Sequence, residues 1–321
     1  MASPQLREKC VRKVIAFVVA IISFGFANIA WADCQSLRDS EFEWPECVVK
    51  ELAQGIDYSG ANLVELDLYG ESLGGVQLDR ADLSGADLTK TWLVGAKFVR
   101  SNLEGASFTD ARMQYAKLQY ANLKSADLDG TDLRNADLSG ADLTGVNLSF
   151  AYLKRTNLTE SNLTNANLSF QDLRLIPLTN AVLTGATLEW AVLEEQKLVG
   201  ARFNGANLTG TDFEFSDLSG ADLRNAKLQR ADLKSANLSG ADLSGANLEL
   251  ADLTSANLTR AEMRGAYLNN AILHGVDLTG AMLGGTKVSL FNENDDRVYF
   301  TCDFDSVGDC YVEGVAQGLS K

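Results

Sequence analysis

Apolar residues recur along most of this chain at every fifth position. From residue 63 to residue 283 this position is Leu in 39 copies, Phe in four and Met in two, and no copy is polar. We call it the centre of the repeat. The residue two places earlier is usually Ala, as in Ala-Asp-Leu-Ser-Gly at 136–140. The pattern predicts that one large and one small apolar side chain of each repeat face inward and pack together.

A period of five fits neither a long helix, which repeats every 3.6 residues, nor a long strand, which repeats every two. Each repeat must therefore be a short extended segment followed by a bend. Gly occupies 20 of the 46 positions that lie two residues after a centre, from 60 to 285. Because Gly accepts backbone angles that bends demand, these positions predict the bends. Segments joined by bends predict a closed coil.

These residues resemble those of the pentapeptide repeat proteins, in which four copies form one square turn of a right-handed β-helix. The resemblance covers residues 61–283 and never slips in register. It implies an all-β fold, a right-handed quadrilateral β-helix of about eleven coils with residues twenty apart stacked at the spacing of paired strands. We expect the β-helix at 56–288 and small N- and C-terminal caps at 33–55 and 289–321, since an open coil end exposes apolar groups and unpaired backbone.

The first 32 residues have the features of a signal peptide. Four basic residues precede an apolar run at 14–26, and Ala30 and Ala32 are small residues at the positions that a signal peptidase recognises. We predict cleavage after Ala32 and export, to the periplasm or, as the resemblance allows, to a thylakoid lumen. In the alternative, the uncharged stretch 14–32 is retained and anchors the chain to the inner membrane.

Cysteine spacing fits an exported protein. Apart from Cys10, the cysteines form two close pairs outside the repeats, Cys34 with Cys47 and Cys302 with Cys310. In an exported chain such pairs indicate two local disulfides. A metal site is the rival interpretation, but only His274 could assist, and the pairs flank opposite ends of the repeat region.

The caps carry weaker signals. Pro45 and Gly55 bound a predicted short helix at 45–54. Residues 298–302 and 310–312 alternate like two strands of a hairpin. The acidic loop between them, 303–309, resembles a calcium loop only in part, because it lacks a third ligand before Gly308 and the closing Glu. A solvated turn is the favoured interpretation, and calcium is the alternative.

The charge and the residue types exclude several classes of function. The net charge is −15; removing 1–32 would take four basic and one acidic residue from the totals of 28 and 43, leaving −18. Nucleic acid is therefore not expected as a partner. The sequence has one His and no phosphate-binding glycine loop, and its repeats predict no enclosing site. We therefore expect a non-enzyme that uses no cofactor, catalytic metal or small-molecule substrate. Acidic columns, such as Asp212, Asp232 and Asp252, would repel one another unless Asn or Lys intervenes.

A candidate partner surface emerges once residues twenty apart are stacked. Phe150, Phe170 and Trp190 then share one corner of three coils, Tyr152 and Val192 lie beside them, and Pro177 and Val182 are expected on neighbouring faces. Large aromatic residues on a solvent-facing corner are typical of binding sites. In the alternative interpretation the rings stack on one another and shield a locally swollen coil.

We therefore interpret the sequence as an exported, non-catalytic scaffold that binds an unidentified protein through the side of a rigid rod. Membrane contact is expected only if the signal is uncleaved, and the oligomeric state is left open. The resemblance also implies an alternative function, an acidic mimic of duplex DNA that binds a type II topoisomerase, DNA gyrase. Export distinguishes the two functions. A protein with a mature N-terminus at Asp33 would be exported, and a DNA mimic would then have no access to its target.

Overall fold

The computed structural model of the protein describes residues 57–291 and 297–302, with side chains over 57–287. The predicted signal peptide, the cap at 33–55 with its helix, and Cys34, Cys47 and Cys310 lie outside these residues. So does the acidic loop at 303–309. The features assigned to these segments stay predictions.

Each repeat contributes one residue to parallel β-bridges, and its partners lie twenty residues away in either direction. Asp137, for example, bridges Lys117 and Asn157. The backbone hydrogen bonds follow the same spacing: Leu138 N donates to Asn157 O at 2.9 Å, and Asn157 N donates to Ala136 O at 2.9 Å. Twenty residues hold four repeats, so each coil has four bridged segments separated by four bends. Residues twenty apart form columns along the rod.

The bends lie where the glycine positions predicted them. Between residues 60 and 285, the fifth residue of the repeat has a φ of +65° to +75° at twenty glycines and +54° to +63° at 24 other residues. Gly adopts this left-handed conformation freely, whereas other residues lose about 1 kcal/mol there. Two bend positions, Phe150 and Leu175, do not have a positive φ.

The centres and the small apolar residues fill the interior of the coil. Leu138 and Ala136 are each 1% exposed. The larger centres pack as neighbours, with Phe98 edge-on to Phe108 at 6.3 Å between ring centroids. The predicted inward pairs are therefore the hydrophobic core, and their burial supplies most of the favourable free energy of folding.

Threonines at the small inward position donate hydrogen bonds to backbone carbonyls of the preceding coil. The hydroxyl of Thr91 donates to Leu68 O at 2.8 Å, and that of Thr211 donates to Leu188 O at 2.7 Å. Both threonines are fully buried. A buried hydroxyl is tolerated when it is hydrogen-bonded, so the interior accepts these residues without a change in the coil.

The last coil continues into a two-stranded antiparallel sheet. Strand β1 spans Thr286–Phe291 and strand β2 spans Arg297–Cys302, with Thr286 opposite Cys302. Strand β1 begins within the coil, because Lys287 also bridges Tyr267. The predicted strand at 298–302 lies within β2, but its partner among the described residues is β1. The predicted partner at 310–312 lies outside them, and the expected boundary at 288 falls inside β1.

The described residues are therefore β-structure and bends throughout. Over 57–291 and 297–302, no helix has the length and apolar character needed to cross a membrane. The columns of outward side chains form the surface of the rod.

Candidate protein-binding surface

Most exposed large apolar residues lie on one side of the rod. We call it the Tyr152 side and define it as the outward bridge column of Tyr152, from Ser72 to Ile272, with the bends before and after it. Of fourteen exposed large apolar residues with described side chains, eleven belong to this side: Tyr69, Trp92, Tyr115, Phe150, Tyr152, Phe170, Leu175, Trp190, Phe215, Leu250 and Ile272. Isolated exposed apolar residues are normal, whereas a contiguous set points to a binding surface.

The predicted corner column of Phe150, Phe170 and Trp190 forms one edge of this side, and it lies about halfway along the rod. The three side chains are 70%, 71% and 49% exposed. Their rings do not stack on one another, because the ring pairs among the described side chains are the buried Phe98–Phe108 and Phe203–Phe213. The alternative interpretation, in which the three rings stack on one another and shield the coil, therefore has no ring–ring contact to support it.

Trp190 is less exposed because its ring folds over Gly210, one coil further along the column. A Cβ on Gly210 would lie only 2.5 Å from a ring carbon of Trp190. Gly210 thus leaves the space that the indole occupies. The same arrangement recurs on another side, where Tyr120 covers Gly140.

Other exposed aromatic residues are covered by a cation from the next coil. Lys90 lies over Tyr69 at 5.7 Å from the ring centroid, and Arg112 lies over Trp92 at 5.2 Å. Such contacts satisfy the ring face and are worth about 0.5–1 kcal/mol when exposed. Across the described side chains no cation lies over Phe150 or Phe170. At 70% and 71% exposure, they are the most exposed aromatic rings of the Tyr152 side.

The bend at Phe150 is held in its unusual conformation by Gln171 from the next coil. The side-chain amide nitrogen of Gln171 lies 2.9–3.1 Å from three carbonyls around this bend; these belong to Leu148, Ser149 and Ala151. Two of the three carbonyls have no backbone donor at this bend, so the amide satisfies them. The inward Gln171 is thus the structural complement of the exposed Phe150.

The same arrangement recurs 25 residues further along the chain. Gln196 places its amide nitrogen 2.6–3.2 Å from the carbonyls that flank the bend at Leu175; these belong to Leu173, Arg174 and Ile176. Leu175 is 72% exposed. The two glutamines therefore support the two bends that present Phe150 and Leu175 on opposite edges of the Tyr152 side.

Cations moderate the acidic columns by bridging stacked carboxylates. Arg174 contacts Asp172 at 2.8 Å and Glu194 at 3.6 Å, and Lys234 contacts Asp232 at 2.6 Å and Asp252 at 3.4 Å. On another side, Arg224 joins Asp222 and Asp242 in the same way. The hydrogen bond from Arg174 holds the pKa of Asp172 below its ordinary value. The expected moderation by intervening Lys is present, and Arg contributes as well.

In one part of the acidic column, Asp212 and Glu214 form no ion pair among the described residues, although the neighbouring Asp232 is paired with Lys234. Glu214 stands two residues after Asp212, where the other arrangements have Arg or Lys. Oxygen atoms of Asp212, Glu214 and Asp232 all lie within 4.8 Å of one another. All three residues are partly exposed. These are the described carboxylates that come closest to a set of metal ligands, but such clusters commonly occur on exposed surfaces without a metal, and this one defines only a local negative charge.

The structure brings together most, but not all, of the predicted surface residues. Tyr152 and Val192 lie on the Tyr152 side with the corner aromatics. Pro177 is exposed on the next side, beyond the bend at Leu175. Val182 belongs to the opposite side, where it bridges Asn162 and Arg202. Column position, rather than closeness along the chain, decides which residues meet, and the grouping with Val182 does not hold.

Sequence reasoning overlooked Leu175 and the charged residues of this side. Leu175 holds a bend position that the five-residue register identifies as outward. Lys154 and Arg155 follow Tyr152 in one coil, and Glu194 and Glu195 follow Val192 two coils later. Stacking the sequence in rows of twenty would have revealed these opposite charges.

Comparisons with known proteins agree with the repeat. The family model described as pentapeptide repeats (8 copies) matches most of the chain, over residues 59–93, 93–119, 121–160, 161–195, 188–225, 216–254 and 246–285. A comparison with curated proteins finds no match.

Solved structures of similar proteins come from several sources. HetL, a pentapeptide repeat protein involved in heterocyst differentiation regulation in the cyanobacterium Nostoc sp. strain PCC 7120, is 33% identical over 73% of this chain and 92% of its own, with a TM-score of 0.23. QnrB1, a plasmid-mediated fluoroquinolone resistance protein, is 23% identical over 71% of this chain and 89% of its own, with a TM-score of 0.30.

A protein from the thylakoid lumen of Arabidopsis thaliana is 22% identical over 38% of this chain and 70% of its own, with a TM-score of 0.18. The match to the family model, between residues 59 and 285, decides the assignment. The chain belongs to the pentapeptide repeat family, whose members form right-handed β-helices.

Proposed function

We propose that the protein is a non-catalytic scaffold, a four-sided rod of about eleven coils at strand spacing, that binds a protein through the Tyr152 side. The observation that carries this proposal is the exposure of Phe150 and Phe170, which no cation or neighbouring ring covers. Leaving such rings in water is unfavourable by about 1.5–3 kcal/mol for each one. A partner that buries them together with Leu175 and Tyr152 recovers that free energy.

The scaffold is proposed to act outside the cytoplasm. The signal peptide predicted at 1–32 and the predicted Cys34–Cys47 and Cys302–Cys310 disulfides support export. Sequencing the mature N-terminus tests the first feature, with Asp33 expected. Thiol titration of the denatured, exported protein tests the second, with no free cysteine expected; two or more reactive thiols would refute the disulfides.

A non-catalytic role is supported by the nature of the surface. The outward columns are convex, and the partly buried carboxylates are engaged by hydrogen bonds within the repeat, such as those from Ser139 and Gln119 to Asp137. Catalytic acids generally work in enclosing sites. The DNA-mimic alternative receives less support, because Arg174, Arg224 and Lys234 interrupt the acidic columns that a mimic would present.

Site-specific photo-cross-linking in the producing cell tests the proposal. A photoreactive phenylalanine at Phe170 should yield a covalent adduct with a protein. The same residue at Asn180 is a matched control, because Asn180 is an exposed bend residue with φ +59°, close to the +63° of Phe170, but lies on a different side. An adduct at 170 and none at 180 supports the proposal. Equal labelling at both sites, or none at 170, overturns it.

A triple variant separates binding from folding. Replacing Phe150, Phe170 and Trp190 together by Ser should abolish the partner contact and leave the melting temperature nearly unchanged, since all three side chains face solvent. A variant that retains the contact but melts much lower would show that the column serves the rod itself.

A further inference from the structure

We infer that the protein bound by the Tyr152 side is a second copy of this chain, packed antiparallel about a two-fold axis that passes beside Phe170. The inference rests on the proposed function in one respect, that the Tyr152 side is a protein-binding surface. It adds the identity of the partner, which follows from the self-complementarity of that side.

The two-fold axis fixes which residues meet. When the axis is perpendicular to the rods, each column faces the same column of the other copy, and coils equally distant from Phe170 in opposite directions face one another. The coil of Phe150 then meets the coil of Trp190, and the coil of Phe170 meets its own copy. No further choice of register is needed.

Apolar residues meet apolar residues in this arrangement. Phe150 faces Trp190, and Tyr152 faces Val192. Phe170 and Leu175 each face their own copy in the second chain. The most exposed described apolar side chains, at 70–72% exposure, are thus buried in the middle coils of the contact, along its two edges, with the ion pair of Asp172 and Arg174 between them. Hot-spot residues of interfaces cluster near the middle of the contact.

Charged residues meet opposite charges at the edge of this apolar centre. Lys154 faces Glu194, and Arg155 faces Glu195, and each pair occurs twice by symmetry. Among the described residues neither Lys154 nor Arg155 forms an ion pair within its own chain. The cations of one copy and the carboxylates of the other are therefore complementary, and complementary charges fix register and orientation.

The match extends into the outer coils. Arg134 faces Glu214, which forms no ion pair among the described residues of its own chain and receives a cation from the second copy. Asp110 faces Arg230, which gives another opposite pair. Three like-charged contacts arise. Asp132 faces Asp212, and Asp172 and Arg174 of the central coil each face their own copy. Within each chain, however, Asp132 is paired with Arg134 at 2.5 Å and Asp172 with Arg174 at 2.8 Å. Opposite charges outnumber like charges along the contact.

Other arrangements of two copies are less favourable. A two-fold axis parallel to the rods would set Phe150 against Arg155 and Trp190 against Glu195. A shift of one coil in one direction would separate Lys154 from Glu194 and set Arg155 against Leu175. A shift in the other direction would bury Glu195 against Leu175. Each alternative leaves charges unpaired or buried against apolar groups, which is costly.

The available area is sufficient for a stable dimer. Eleven coils at strand spacing and a side roughly 15 Å wide present roughly 800 Å² per copy. Stable interfaces bury about 800 Å² per partner. The Tyr152 side therefore reaches the usual size only if the rods lie along one another, as the antiparallel arrangement requires.

Sedimentation velocity of the full exported chain tests the inference by charge reversal. The parent protein should be a dimer at micromolar concentration. The double variants Lys154→Glu with Arg155→Glu, and Glu194→Lys with Glu195→Lys, should each raise the dimer Kd by on the order of 100-fold, as expected for reversed close charge pairs. Mixing the two variants should restore a dimer, since each reversed set then meets its complement in the other chain. Restoration also shows that both variants are folded.

Two results would overturn the second copy as partner. One is a parent protein that remains monomeric at about 100 µM, well above the Kd of specific complexes of this size. The other is a mixture of the two variants that stays monomeric although each melts like the parent.

The photo-cross-link at Phe170 distinguishes failure of this inference from failure of the proposed function. An adduct with twice the mass of the chain supports the second copy, an adduct with a different protein overturns it and leaves the proposed function standing, and no adduct removes the proposed function.

Discussion

Gln171 donates from its side-chain amide to the carbonyls on both sides of Phe150, at 3.0 Å from Ser149 O and 3.1 Å from Ala151 O. The two residues lie 21 positions apart along the chain and in adjacent coils. An inward polar side chain thus determines how an outward aromatic one is presented.

Replacing Gln171 by Leu should lower the free energy of unfolding by about 1–3 kcal/mol, because carbonyls at the bend lose their donor in a partly buried site. Urea denaturation measures the effect. Gln229→Leu is the matched control, since no hydrogen bond of the Gln229 side-chain oxygen is found in the described structure. Equal stability losses in the two variants would contradict the role of Gln171.

The sequence predicted the repeating unit well because its physical cause is local. A centre such as Leu138 must be buried in any coil with this period. Gly at 20 of the 46 bend positions indicates the left-handed conformation directly. The twenty-residue stacking was inferred from the family resemblance, since a five-residue period alone does not say how many repeats close a coil.

The site was predicted only in part because its determinants are nonlocal. Val182 is close to the aromatic residues along the chain but lies on the opposite side of the rod. The exposure of Leu175 depends on Gln196, which is 21 residues away. Inspection of residue types alone identifies the aromatic residues first. The opposite charges of Lys154 and Glu194 become informative only when residues of one column are compared.

Leu138→Ala should destabilise the rod by about 2–5 kcal/mol through the lost contacts and the cavity left behind. Asp137→Ala should have a smaller effect, although the Asp137 carboxylate accepts hydrogen bonds from Ser139, Gln119 and Asn157. Chemical denaturation of both variants provides the comparison. An equal loss for Asp137 would mean that the outward hydrogen bonds contribute as much as the core.

Gly210→Ala should destabilise the rod and displace Trp190. The backbone at Gly210 has a φ of +66°, and an added Cβ would contact the indole ring at 2.5 Å. Gly220→Ala is the matched control, because Gly220 has a φ of +65° and nothing within 4 Å of the added Cβ. Both variants share the strain of a left-handed Ala, about 1 kcal/mol. Only Gly210→Ala should change the tryptophan fluorescence, and that change should vanish when Trp190 is Phe. Identical behaviour of the two variants would contradict the covering contact.

Acid should destabilise the rod through the aspartates of its columns. The hydrogen bond from Arg224 lowers the pKa of Asp222, and the one from Arg174 lowers that of Asp172. A carboxylate with a lowered folded-state pKa contributes stability above its unfolded pKa of about 3.9 and loses it as the pH falls through the folded value. The melting temperature should therefore vary little between about pH 7 and 5 and decline below about pH 4.

Asp222→Asn identifies the source of that decline. The variant should melt lower than the parent at pH 7, because the ion pair with Arg224 is lost, and should lose less on acidification. Asn257→Ala serves as the control, since it removes a column side chain that hydrogen-bonds Asn237 at 3.2 Å but does not titrate. Its profile should lie below that of the parent by the same amount at every pH. An acid decline in Asp222→Asn as steep as in the parent would place the titrating groups elsewhere than in this column.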